Sequence, residues 1–265
     1  MLNKPYKQPD VNAIAQLLTK LDQILAGDPD KMIRQLRQLA KVVDRLVPYH
    51  DGHIIRVTFY SLAIGMRMGL PQEDLLTLEV AALLHDFGKL GVDEATLDKE
   101  EELSSDDLTE IHHHAERGYH IISGFSKLCT VADIIRDHHE KFDGSGYPNK
   151  KKGHDISRLA RIIAVADAYD AMTADRPYRK GLPQKTAEAE LLIHSGTQFD
   201  PEVVDFFVNH VQDKKPDIKI SLLRKTFKIQ RRKPRANSQN GPKANSRKTA
   251  SPGGANKPQP SNLKK

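Results

Sequence analysis

One stretch of the chain has to form a buried helix that carries polar side chains inward. Apolar residues dominate from Leu75 to residue 84, and the run ends in adjacent His85 and Asp86 within the sequence AALLHDFGKLG. Gly88 follows, and glycine is a usual helix stop because it takes left-handed backbone angles easily. A buried polar group without a partner costs roughly 1–3 kcal/mol. A hydrogen-bonded core histidine and a metal ligand both satisfy this requirement, and the pair alone does not decide between them.

The remaining apolar segments repeat at helical spacing, and none alternates as a strand does. Pro183 and Pro201 stand where first-turn prolines open helices, and Ser104 with Asp107 is typical of a capping box. We therefore predict an all-α chain. Its further helices are expected at Val11–Ala26, 30–47, from His53 onward, across His112 to His114, 125–142 and 156–174.

Composition separates an acidic body from a basic tail. Residues 214–265 hold sixteen of the 41 basic residues and one of the 35 acidic ones, which leaves 25 basic and 34 acidic residues elsewhere. The tail has few apolar residues from Lys233 onward, which predicts disorder. We expect three parts: a helical hairpin or cap at 1–47, a main domain at 48–212 and the tail at 213–265. Cys129 is the only cysteine, which excludes an internal disulfide and a thiolate-based zinc site.

Several further polar residues fall on helix faces that should be buried. His53 shares a face with Val57 and Tyr60, and Asp167 and Asp170 lie on an otherwise apolar stripe. Among the three consecutive histidines at 112–114, helical phase places only His114 beside the buried stripe, so His112 and His113 are expected at the surface or in packing. A second adjacent pair, His138-His139, precedes the glycine-rich loop EKFDGSGYP.

The order of these residues resembles the HD superfamily of metal-dependent phosphohydrolases. The pattern His…HD…His…HH…D is joined by the segments HDFGK, HHEKFDGSGYP, RIIAVADAYDAMTADRPYR and GTQFDP. Together these are similar to the HD-GYP family, whose members typically hydrolyse cyclic di-GMP, and the resemblance runs over about residues 49–208. It implies an HD-type helical bundle, to which the N-terminal helices are a short extension.

The ligand list and the resemblance together predict a two-metal site. Imidazole and carboxylate ligands without thiolate suit iron or manganese at least as well as zinc, and nickel and magnesium are further candidates. Seven ligands are more than one metal ion needs, so two ions are expected. The resemblance implies that Asp86 bridges these two ions. The predicted metal ligands are His53, His85, Asp86, His114, His138, His139 and Asp167.

The resemblance also implies roles around the metals. Asp86 and Lys89 are the expected catalytic residues, with Lys89 stabilising charge on the phosphorus centre or the leaving oxygen. Arg176 and Arg179 are expected to grip the substrate's phosphates, because guanidinium groups form paired hydrogen bonds with phosphate oxygens. The expected substrate-binding set is Tyr147, Asp170, Arg176 and Arg179, with Tyr147 stacking on a guanine or shaping the entrance. Asp143 and Asp170 are also candidates for ordering the loop or the ligands.

Three departures from the family pattern keep other functions open. Tyr49 replaces a glutamate that adds a third metal site in some members, so two metals are expected. The loop KEEEL at 99–103 and Ala115 replace the usual residues, and the added negative charge would repel a cyclic dinucleotide. A cyclic di-GMP phosphodiesterase producing linear pGpG, and then GMP, is the first hypothesis. The alternatives are a non-catalytic module binding cyclic di-GMP or a partner protein, and a phosphohydrolase or nuclease acting on another nucleotide.

Partners and location are expected from the same features. The family links the GYP loop to diguanylate cyclase partners, the basic tail suits an anionic partner such as nucleic acid, and the N-terminal helices could form a homodimer. No apolar run reaches membrane-spanning length and no leader is recognisable, so we expect a cytoplasmic protein.

Overall fold

The computed structural model describes residues 11–46, 52–97, 99, 104–175 and 180–211. The secondary-structure elements within these residues are all helices, with no strand. This confirms the predicted all-α fold. None of the described helices is long and apolar enough to cross a membrane. The helices are α1 (Val11–Ala26), α2 (Pro29–Leu46), α3 (His53–Arg67), α4 (Gln72–Leu84), α5 (Glu94–Leu97), α6 (Ser105–Ser123), α7 (Cys129–Asp137), α8 (Arg158–Thr173), α9 (Gln184–Ile193) and α10 (Pro201–His210).

The bundle is built so that the helices carrying the candidate ligands meet. Helix α3 packs on α4 and α8, and α6 packs on α7. Two turns along α3 from His53, the rings of Tyr60, Tyr169 and Phe207 meet edge to face and join α3, α8 and α10. Such aromatic pairs add roughly 0.5–1.5 kcal/mol each beyond their buried area. This aromatic cluster stabilises the packing of α3 and α8, the helices that carry His53 and Asp167.

Two glycines let α6 approach the turn that follows α4. A Cβ on Gly88 would lie 2.0 Å from the carbonyl oxygen of His114 and 2.5 Å from the nitrogen of Gly118, closer than real atoms come. Gly118 faces the same contact from α6. Only the missing side chain at residue 88 lets His114 come so near to Asp86.

Two of the predicted helix signals hold, one does not, and two helices are shorter than predicted. Gly88 does not end α4 in a left-handed conformation, because it lies inside a 3-10 turn (Phe87–Gly91) without a positive φ. Ser104 and Asp107 form the expected capping box, and Pro201 lies in the first turn of α10. The helix expected at 125–142 is interrupted because Phe125 is extended after Gly124 ends α6; a 3-10 turn (Ser126–Leu128) precedes α7. The chain then turns at His138, and α8 begins at Arg158 after a further 3-10 turn (Gly153–Asp155).

The N-terminal helices share the core of the bundle. Leu21, Leu36, Leu39 and Val43 are buried in the same apolar cluster as Ile54. The proposed boundary between residues 47 and 48 stays a prediction, as does the one at residue 213. The tail and its predicted disorder lie outside the described residues.

Candidate metal centre

Asp86 lies at the centre of the candidate site because the apolar helix α4 carries it inward. His85 ends the helix and Asp86 follows, and both side chains are buried. Oδ2 of Asp86 lies 3.5 Å from the Nε2 atoms of His53 and His85, whereas Oδ1 of Asp86 lies 3.5 Å from Nε2 of His114. The two oxygens of one carboxylate therefore face two different sets of imidazoles.

The seven predicted ligands form two groups on either side of Asp86. Ligand atoms of His53, His85 and Asp86 lie within 4.8 Å of one another. Those of His114, His138 and His139 form a second set with the same spacing. Asp167 joins the first set, since its Oδ1 lies 3.3 Å from Nε2 of His53. We call the first set, with Asp167, the His53 group. The His114 group comprises His114, His138 and His139.

Three of the histidines are oriented by the same local hydrogen bond. The Nδ1 atoms of His85, His114 and His138 contact the carbonyl oxygen three residues earlier, at 2.8, 2.6 and 2.5 Å. Because a carbonyl can only accept, each Nδ1 carries a proton, so that in the neutral ring Nε2 presents a lone pair. All three lone pairs point towards the centre of the site.

These lone pairs face one another. The Nε2 atoms of His114 and His138 lie 3.4 Å apart with no proton to share, and Nε2 of His85 is buried without a hydrogen-bond partner. Buried acceptors that face each other are unfavourable unless a positive charge binds both. The donor set therefore fits divalent cations.

Charge in the His114 group also suits metal binding, because ligating imidazoles must be neutral. Burial and the nearby charge of Lys89 lower the pKa of His114 to about 3. Burial, with the neighbouring His85, lowers the pKa of His138 to about 4. Burial, with His138 and His114 beside it, lowers the pKa of His139 well below the usual range.

In the His53 group, by contrast, the pKa of the histidine is raised. Burial lowers the pKa of His53, but hydrogen bonds to Asp167, Asp170 and Asp86 outweigh it and raise the pKa well above its ordinary value. Burial raises the pKa of Asp167, and the contact with His53 more than reverses this effect. Carboxylates thus dominate one side of the centre and neutral imidazoles the other.

Asp170 lies beneath His53 and was expected among the substrate-binding residues. Its Oδ2 accepts from Nδ1 of His53 at 2.7 Å, and both of its oxygens accept from Arg56. The residue is 1% exposed. This position favours a role in orienting His53, the ordering role that the sequence also suggested, over a contact with substrate.

Lys89 reaches the same carboxylate from the turn after α4. Its Nζ donates to Oδ2 of Asp86 at 2.8 Å, and the side chain remains 16% exposed. Because the ammonium group of Lys89 is partly exposed beside Asp86, it can also contact an anion bound at the site.

The GYP loop places Tyr147 against the ligands. Its ring stacks on His112 at 4.1 Å between centroids and on His139 at 5.0 Å. Glu140 fastens the loop by accepting from the backbone nitrogens of Asn149 and Lys151, at 2.6 and 3.1 Å. Because two histidine rings already stack on the phenol ring and one of them is His139, the arrangement favours a role in shaping the entrance over stacking on a guanine. Asp143 lies in the same loop, where it accepts from the backbone nitrogen of Ser145 at 2.8 Å.

Several expected residues lie outside the described part of the chain. These are Arg176, Arg179, Tyr49 and residues 100–103 of the KEEEL loop. Asp175 precedes the two arginines and accepts from the backbone nitrogen of Gly181 at 2.8 Å. Lys99, at the start of the KEEEL loop, pairs with Asp107 at 2.5 Å.

Sequence reasoning missed one contributor and one particular contact. Arg56 follows His53 by one helical turn, so helical spacing could have flagged it as a partner of Asp170. His112 was assigned to the surface or to packing; it is exposed, yet it stacks on Tyr147. Nothing in the local pattern indicates that contact, because it depends on where the GYP loop folds.

The profile of the HD domain family matches residues 20–203, which is more than half of the chain. The chain belongs to the HD domain family, in its HD-GYP branch. The HD domain is 41% identical over 162 residues to the 3′3′-cGAMP-specific phosphodiesterase 3 of Vibrio cholerae serotype O1, covering 61% of this chain and 35% of that protein. It is 32% identical over 199 residues to the cyclic di-GMP phosphodiesterase response regulator RpfG of Xanthomonas campestris pv. campestris, covering 73% and 53%.

This HD-GYP chain spans between about a third and about half of the length of those two relatives. A solved structure of an HDG"Y"P protein from Bdellovibrio bacteriovorus superimposes with a TM-score of 0.50 at 18% identity, covering 73% of this chain and 68% of that one. That likeness concerns the fold, and it supports the HD-type bundle.

Proposed function

We propose that this HD domain is a metal-dependent phosphodiesterase that hydrolyses cyclic di-GMP to linear pGpG, with hydrolysis on to GMP as a second step. The observation that carries the proposal is the position of Asp86, whose two oxygens face two separate groups of ligands. One carboxylate between two such groups is the arrangement that a pair of metal ions needs. Relatives named as cyclic di-GMP phosphodiesterases support the choice of substrate.

The proposed ligands divide between two ions. The His53 group would hold one, the His114 group the other, and Asp86 would bridge them. Two bound divalent ions, for which iron or manganese is proposed ahead of zinc, nickel or magnesium, would supply a water of lowered pKa and stabilise the attacking and leaving oxygens.

The chain's own side chains would bind and orient the substrate. Lys89, already paired with Asp86, would turn its ammonium towards a non-bridging phosphate oxygen and stabilise the charge that develops there. Arg176 and Arg179 would hold the phosphates by paired hydrogen bonds. Tyr147 would keep water from His139 and narrow the entrance, because its ring lies against that imidazole.

A second candidate substrate is 3′3′-cGAMP. The relative with 41% identity is named for that dinucleotide, and it is more similar to this chain than the relative named for cyclic di-GMP, at 32%. The two substrates differ in one base, so the same metal centre would serve both reactions. Residues that contact the base would decide between them.

The test is turnover by the purified chain after anaerobic reconstitution with iron or manganese. Cyclic di-GMP, 3′3′-cGAMP and RNA are offered separately, with Asp86→Ala as the inactive variant and Asp22→Ala, a change at an exposed residue of α1, as the control. Metal-dependent release of pGpG that Asp86→Ala abolishes supports the proposal. Preferred cleavage of 3′3′-cGAMP supports the second candidate, while tight binding without turnover or cleavage of RNA alone contradicts both.

The remaining expectations about partners stay proposals. A diguanylate cyclase docking on the GYP loop, an anionic partner for the tail at 213–265 and a homodimer through the N-terminal helices each rest on the sequence arguments given above. The proposed location is the cytoplasm, on the same grounds. Deleting the tail should weaken binding of an anionic partner most at low salt, because basic tails act through screened charge.

A further inference from the structure

The helix that presents His53 has no cap of its own. The residue before it, Gly52, has φ +73° in the left-handed region and no side chain to accept a hydrogen bond. The first backbone N–H groups of any helix lack partners within that helix. His53 is the first residue of α3, so it sits in the turn that is most prone to fraying.

A carboxylate from another helix supplies the missing cap. Oδ2 of Asp44, near the end of α2, accepts from the backbone nitrogen of Gly52 at 2.7 Å, and Oδ1 accepts from that of Ile54 at 3.1 Å. Asp44 is only 5% exposed. The two amides that it holds belong to the residues immediately before and after His53.

Helix α2 is itself fixed to the helix that carries His85 and Asp86. Nε of Arg37 donates to Oε1 of Glu79 at 2.8 Å, and Glu79 lies in α4 at 1% exposure. The buried Leu36 and Leu39 add apolar contact with the core. Asp44 therefore ties the first turn of α3 to a frame that also sets the position of α4.

We propose that Asp44 is a positioning residue of the metal centre, which holds the backbone of His53 so that its Nε2 faces Asp86 and Asp167. Asp170 fixes the orientation of the imidazole through Nδ1, whereas Asp44 fixes the turn from which that side chain extends. Both constraints are needed to place one ligand atom. The inference rests on the proposed function, because it concerns the same centre.

Removal of the carboxylate should weaken metal binding on one side. Asp44→Ala leaves two poorly accessible amides without an acceptor, and the first turn of α3 loosens. Changes to groups that orient a metal ligand typically cost roughly 10–100-fold in metal affinity, and we expect a loss in that range for the His53 group. Asp44→Asn keeps one oxygen acceptor and should lose less.

Asp107→Ala is the matched control. Asp107 is also a carboxylate that caps a ligand-bearing helix, by accepting from the backbone nitrogen of Ser104 at 2.8 Å. His114 lies seven residues further on, well inside α6. This variant should lower the thermal stability without changing metal affinity.

Two measurements separate positioning from general stability. The first is manganese affinity and stoichiometry by calorimetric titration, and the second is hydrogen exchange of the Gly52 and Ile54 amides by NMR in the metal-free protein. Asp44→Ala should weaken manganese binding at least tenfold and expose both amides to exchange, while Asp107→Ala does neither. Wild-type manganese affinity in folded Asp44→Ala overturns the proposal, whatever the change in melting temperature.

If Asp44→Ala does not fold, Asp44→Asn decides by the same two readouts. Weakening of manganese binding by threefold or more supports the proposal, and unchanged affinity overturns it. If the wild-type chain binds no divalent cation, the proposed function fails. The exchange of the two amides then still decides whether Asp44 holds the turn of His53.

Discussion

The two sides of the candidate centre solve the burial of polar groups in different ways. In the His53 group, buried carboxylates surround one histidine and raise its pKa. In the His114 group, three imidazoles meet with lowered pKa values, and the nearby charges of Asp86 and Asp167 do not reverse that shift. The His53 group itself contains carboxylates, whose negative charge attracts a cation, whereas the His114 group consists of imidazoles alone.

This difference predicts unequal affinity for metals. Carboxylate oxygens suit hard cations such as manganese and magnesium, while imidazole suits iron, zinc and nickel. The His53 group should therefore fill first with manganese, and the His114 group should show the stronger preference among metals. Variants on each side can test whether the two groups are independent.

The largest effect is expected from removing one ligand on each side. His85→Ala and His138→Ala should each reduce bound metal from two ions to about one and lower kcat/KM by at least about a thousandfold, because each ion contributes several kcal/mol to the transition state. Elemental analysis and steady-state kinetics measure both quantities. If either variant loses both ions, the two groups are not separate sites.

Lys89→Met tests a residue that belongs to neither group. We expect kcat to fall about a hundredfold, since one donor to the developing charge is lost, while two ions stay bound. Kinetics with metal-saturated protein and parallel elemental analysis measure this. A rise in KM alone, with kcat unchanged, would show that Lys89 only binds substrate.

Asp170→Asn should affect one side of the comparison and spare the other. The amide keeps the shape but weakens the hold on His53 and Arg56, so we expect roughly tenfold weaker metal binding in the His53 group. Titration with manganese checks the size of the loss, and Asp175→Asn, at an exposed loop residue, is the control. Equal loss in both groups would contradict the separation.

The smallest effect concerns the helix that carries His114. Ser104→Ala removes the side-chain half of the capping box of α6 and should lower the free energy of unfolding by about 0.5–2 kcal/mol. Chemical denaturation measures the change. Metal affinity should not move, and a loss of metal would show that the start of α6 is coupled to His114 after all.

Much of this arrangement could be predicted from helical phase. Phase separated His114 from its neighbours and placed Asp167 on a buried stripe, and the structure brings both to the cluster of His85 and Asp86. Their role as ligands stays a prediction. Such residues are readable because each lies on an apolar face within its own helix, which local sequence determines.

Other features could not be read locally. The cap that Asp44 provides joins two different helices, and the stacking of His112 on Tyr147 joins α6 to the GYP loop. Helix α7 ends at Asp137, where the chain turns at His138 and leads into the GYP loop. Tertiary packing decides each of these positions, so no periodic pattern indicates them.

Anomalous diffraction from manganese-loaded crystals tests most directly whether Asp86 lies between two ions. We expect two peaks about 3.5–4 Å apart, with one oxygen of Asp86 on each and with His53 and His114 on opposite sides. A single peak, or two peaks that do not share Asp86, would contradict it.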